Sequence, residues 1–161
     1  RIPPEAVIGV VEKLIDIGID EVSISDTIGK ASPDEVKRLL DLLLPKISGE
    51  RIAMHFHDTY RRGVENVLAS WSCGINIFDS SVGALGGCPF APGATGNVAT
   101  EDVVKALEKK GEKVGVDLQK LSQARRLLDP FLTEDRRSLP KDGSPACAAC
   151  QYSTREVCCQ R

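Results

Sequence analysis

An Asp-Thr pair occurs twice in this chain, at Asp26-Thr27 and Asp58-Thr59, 32 residues apart, each time closing a short apolar run and preceding a helical pattern. A period of that length, holding one strand and one helix, is the mark of a βα architecture with parallel strands. Val7, Val10, Val11 and Leu14 recur at helical spacing between Pro3-Pro4 and Gly18, which predicts a helix over 4–17. Residues 21–26 predict a strand. Ser32, Pro33 and Glu35 then form the capping box of a second helix that carries Val36, Leu39, Leu40 and Leu43 and stops at Pro45. Residues 51–58 predict the second strand, and Val64, Val67, Leu68 and Trp71 mark a third helix closing at Gly74. A third strand is expected over 75–82, Thr100 as the cap of a fourth helix, and Asp117 as the cap of a fifth ending near Pro130.

Parallel α/β folds carry their chemistry at the C-terminal ends of the strands. His55 and His57 stand at such an end and are the only histidines in the chain. Strand alternation points both imidazoles to one face, where neutral ring nitrogens suit a divalent metal. Structural histidines satisfied by hydrogen bonds are the competing reading. Asp26 ends the preceding strand and is expected beside the pair, whereas Asp58 is expected to open its loop through an Asx-turn. The loop from Gly83 to Asn97 has glycine at five of its fifteen positions and holds Cys88, read either as a thiol exposed enough to exchange a proton or as a buried inert one.

Composition excludes some partners. With 21 basic and 23 acidic residues among 161, the formal charge of -2 offers no electrostatic basis for nucleic-acid binding. No apolar run approaches the roughly 20 residues that span a bilayer, so a cytoplasmic protein without membrane contact is expected. The chain begins with Arg1 and a helix that no strand precedes, the pattern expected of a piece cut from something longer.

Ser25-Asp26-Thr27-Ile28-Gly29, His55-Phe56-His57-Asp58-Thr59-Tyr60, and the stretch from Asp79 through Gly86-Gly87-Cys88-Pro89-Phe90 to Gly96-Asn97-Val98-Ala99-Thr100-Glu101-Asp102 together resemble the 3-hydroxy-3-methylglutaryl-CoA lyase family, over residues 3 to 130. The resemblance implies about three βα units of a (β/α)8 barrel, covering residues 1–132, and a retro-Claisen cleavage of an acyl-CoA assisted by Mg2+ or Mn2+. It makes His55, His57 and Asn97 the metal ligands. Asp26 becomes the aid to proton removal from the substrate hydroxyl and Cys88 the acid that protonates the departing enolate. His55 belongs to the catalytic set as well as the metal set, Glu101 supports the site or caps its helix, and Gly86, Gly87 and Gly96 form the substrate loop. A homo-oligomer is implied for the full-length parent.

A full barrel takes roughly 250 residues. Five strands are therefore absent, among them the first, where the family carries an arginine and a metal-binding aspartate, so the piece alone is expected to be inactive. Ser25, and Arg61-Arg62 after Tyr60, stand where the family favours glycine. A related lyase acting on another acyl-CoA and a Claisen-type synthase are alternatives. Residues 133–161 form a polar tail with Cys147, Cys150, Cys158 and Cys159, open to readings as a zinc site, redox thiols or a disordered segment; a noncatalytic interaction module built on it is a further alternative.

Overall fold

A computed structural model describes residues 2–86 and 96–132. Gly87, Cys88 and the four tail cysteines lie outside these residues. The order is α1 (Pro4–Asp16), β1 (Val22–Asp26), α2 (Pro33–Leu43), β2 (Ile52–Phe56), α3 (Gly63–Ser72), β3 (Ile77–Asp79), α4 (Thr100–Glu108) and α5 (Leu118–Leu127), with short 3-10 turns at Gly49–Arg51, Val82–Ala84 and Asp129–Phe131. The three strands make one parallel sheet in the order β1-β2-β3. This is the expected βα repeat.

Local chemistry explains the helix starts. In α2 the Ser32 side chain accepts from the Glu35 amide at 3.3 Å while the Glu35 carboxylate accepts from the Ser32 amide at 3.0 Å, so two otherwise unpaired donors are satisfied. Asp117 accepts from the Gln119 and Lys120 amides at the head of α5. The fourth helix departs from expectation. Ala99, not Thr100, is its N-cap, and the Thr100 hydroxyl instead meets Ser80 Oγ at 2.9 Å, tying the helix to the segment that follows β3.

The two faces of the sheet differ. Ile52, Met54 and Phe56 of β2 are all but fully buried against Val36, Leu40 and Leu43 of α2 and Val67 of α3. Each such side chain contributes about 1.5–3 kcal/mol on burial, which makes this layer the anchor of the fold. The opposite face carries Ser23 and Ser25 from β1, Ala53 and His55 from β2, and Ile77 and Asp79 from β3, brought level by the register Ser25 to His55 to Asp79. Apart from Asp26, which ends β1 on the Val22 and Ile24 side, the polar side chains of the strands collect on this face.

β3 is shorter than the eight residues expected of it. It pairs with Ala53 to His55 alone, because the far end of β2 is taken by the returning chain: Val98 donates its amide to the Phe56 carbonyl at 3.1 Å and Asp58 donates to the Gly96 carbonyl at 2.8 Å. Beyond β3 the chain follows this intruding segment, with Ser81 donating to the Val98 carbonyl at 3.1 Å.

Candidate metal centre

The two imidazoles share a face, with ring centroids 5.2 Å apart and planes tilted by 60°. The intruding segment brings Asn97 to the same place, since Asn97 and His57 form an isolated antiparallel bridge at the end of β2. Asn97 directs its amide to the Leu85 carbonyl at 2.9 Å, which leaves its carbonyl oxygen as the donor atom for other partners. His55, His57 and Asn97 are thus drawn together.

His57 is buried, and the loss of water around its ring is the largest influence holding its pKa below the ordinary value; the neighbouring His55 acts in the same direction, while the Asp26 carboxylate and a hydrogen bond with Asn97 oppose both. The ring is therefore kept neutral, the form that binds metals. Its Nδ1 is buried with no hydrogen-bond partner among the described residues. An orphaned nitrogen in a polar pocket has an unspent lone pair, and this donor set fits a divalent cation. No three His, Cys, Asp or Glu side chains among the described residues are grouped to hold a metal; among them it is the Asn97 amide that stands with the two imidazoles.

Asp26 reaches His57 electrostatically, yet its two oxygens also accept from the Lys30 amide at 3.1 Å and the Ala31 amide at 2.8 Å. It shapes the β1–α2 loop while facing the site, and each oxygen keeps a lone pair. Gly29 allows the approach: its φ is +71°, and a Cβ there would stand 2.9 Å from the His57 carbonyl oxygen. Asp58 serves its loop, not through the expected Asx-turn but by accepting from the Gly63 amide, five residues on, at 2.7 Å at the start of α3. Burial raises its pKa.

Glu101 accepts the Gly83 amide with both oxygens, at 3.1 and 2.9 Å, and so anchors the turn that leads to Leu85. Gly86, with φ +116°, comes against the Asn97 amide, and Gly96, with φ +89°, pairs through its carbonyl with Asp58. Asp79 was not singled out from sequence, although it lies level with His55 across the sheet, its Oδ2 3.8 Å from His55 Nδ1. Counting alternate residues from His55 and aligning the third strand would have found it.

A parallel α/β sheet with a His-x-His and amide cluster at its strand ends places this chain among the parallel α/β proteins, whose sites lie at the C-terminal ends of the strands. The chain belongs to the HMGL-like family, whose model matches residues 1–128. It is 44% identical over 128 residues to the hydroxymethylglutaryl-CoA lyase of Bacillus subtilis (strain 168), covering 80% of this chain and 43% of that protein. A crystal structure of the Bacillus subtilis HMG-CoA lyase superposes with a TM-score of 0.77 at 44% identity, over 81% of this chain and 44% of that one. An HMG-CoA lyase from Acinetobacter baumannii in complex with coenzyme A and 3-methylmalate gives a TM-score of 0.76 at 37% identity, over 91% of this chain and 50% of that one. The chain thus spans about half or less of the length of these relatives, and its three βα units are part of their barrel fold. No helix among the described residues is long and apolar enough to cross a membrane.

Proposed function

We propose that this chain supplies the metal-binding and proton-transfer end of a carbon–carbon lyase that cleaves 3-hydroxy-3-methylglutaryl-CoA to acetyl-CoA and acetoacetate. The observation that carries the reading is the meeting of a neutral, buried His57 with His55 and Asn97 at one strand end. His55, His57 and Asn97 would hold a Mg2+ or Mn2+ ion, which would supply polarisation of the substrate's oxygens and positive charge to offset the enolate. Asp26 draws the proton from the C3 hydroxyl. The electron pair of that O–H bond becomes the ketone C=O, the C2–C3 bond breaks, and its pair passes into the thioester enolate. Cys88 then returns a proton to C2, completing acetyl-CoA and leaving acetoacetate.

Glu101, Gly86, Gly87 and Gly96 serve by shaping the loop that carries Cys88 and Asn97. Residues 1–132 form the catalytic portion, and residues 133–161 are a separate tail. The coenzyme A complex of the Acinetobacter baumannii relative supports an acyl-CoA as the substrate class. The test is turnover of the thioester by the full-length parent with and without Mn2+, and with His57→Ala. Cleavage is expected only with the ion and is lost in the variant; metal-independent cleavage would overturn the reading.

A further inference from the structure

Three strands contribute to a contact that the lyase chemistry does not itself require. Asp79 on β3 faces His55 on β2, with Oδ2 3.8 Å from Nδ1, beyond a direct hydrogen bond but close enough to act as a charge partner. The same oxygen accepts from Ser23 Oγ on β1 at 3.0 Å. β1 and β3 do not pair with one another; β2 lies between them, so Ser23 and Asp79 meet across two strand spacings of about 4.8 Å each. Ala53, level with Ser23 and with Ile77, is the residue they pass over, and its single methyl leaves the space. A larger side chain at 53 would stand between them.

We infer that Asp79, held by Ser23, is the positioning residue that fixes the ring orientation and tautomer of His55, an inference that rests on the metal-site reading above. A neutral imidazole carries one proton, and a carboxylate facing Nδ1 draws that proton to Nδ1. Nε2 is then left with the lone pair, on the edge of the ring away from Asp79. Without the carboxylate the two tautomers compete and the ring is free to turn, so the share of molecules presenting Nε2 as a donor falls. Ser23 acts only through Asp79, because its hydroxyl contacts the carboxylate and not the imidazole.

Two measurements on the full chain test this. The first is imidazole nitrogen NMR at about pH 8. With two histidines in the chain, a His57→Gln variant assigns the His55 signals. His55 is expected as the Nδ1–H tautomer, shifting to a mixture in Asp79→Ala and also in Asp79→Asn, since both remove the charge that faces Nδ1. A predominant Nε2–H tautomer, or no change in Asp79→Ala, overturns the inference. The second is Mn2+ titration followed by electron paramagnetic resonance. Asp79→Ala is expected to weaken binding about 10- to 100-fold and Ser23→Ala less, with the double variant no weaker than Asp79→Ala alone. Parental affinity in Asp79→Ala overturns the positioning role, whereas a parent chain that takes up no Mn2+ counts against the metal-site reading and leaves the tautomer result to decide the inference.

Discussion

Gly86 and Asn97 approach so closely that no side chain fits between them: a Cβ on Gly86 would stand 2.5 Å from Asn97 Nδ2. The backbone at Gly86 also lies at φ +116°, which L side chains rarely adopt. Gly86→Ala is therefore expected to push Asn97 off the Leu85 carbonyl and away from His57. Mn2+ affinity should fall by about tenfold or more, as for the loss of an oriented ligand, while the helical circular dichroism signal is kept. Unchanged affinity in a folded variant would separate Asn97 from the metal.

On the acid side of neutrality, two sets of groups should move stability in opposite directions as pH rises. His57 has a folded pKa below the ordinary 6.5, so between the two values the unfolded chain binds more protons and stability rises with pH, its contribution complete above 6.5. Asp58 and Asp102 are both raised above 3.8, chiefly by burial, so the folded chain binds more protons over that window and their contribution falls as pH rises through it. Asp58→Asn keeps an acceptor for the Gly63 amide without the buried charge. Its Tm at about pH 7 should match or exceed that of the parent, and its acid-side dependence should be smaller. A lower Tm at neutral pH contradicts this.

Arg61 occupies the left-handed region at φ 57°. A side chain there costs on the order of 1 kcal/mol that glycine avoids. Arg61→Gly should raise stability by up to about 1 kcal/mol in urea unfolding, less whatever contact the guanidinium gives up. Destabilisation beyond that amount would show that the arginine makes a contact worth more than the strain.

Glu101 is expected to act through the turn at Gly83 and not at the substrate. Glu101→Gln retains an acceptor for the Gly83 amide, so its Mn2+ affinity should stay within about twofold of the parent, whereas Glu101→Ala should lose about 1 kcal/mol of stability and bind the ion more weakly. If the two variants bind Mn2+ equally poorly, the charge itself is required, and a direct role at the site follows.

Several features were legible before any coordinates. The period between Asp26 and Asp58 reported the βα unit, the Ser32 and Glu35 pair reported the start of α2, and the loop role of Asp58 followed from its place after β2. Thr100 misled because a hydroxyl near a helix start can serve either the helix or a neighbour, and Ser80 is the neighbour here. The third strand was overextended because the strand formers Ile75, Ile77, Phe78 and Val82 bracket the run, and nothing local reports that another segment takes the edge of β2.

Alternation along one strand was enough to send His55 and His57 to the same face, since side chains on an extended backbone alternate whatever surrounds them. Three contacts could not be reached that way. Asn97 meets His57 because Gly96 and Val98 displace β3 from the end of β2; Gly29 lets the Asp26 loop settle on the His57 carbonyl; and Asp79 meets Ser23 over the methyl of Ala53. Each depends on which backbone groups pair across the sheet and how much room a distant side chain leaves, quantities fixed only when the strands are assembled.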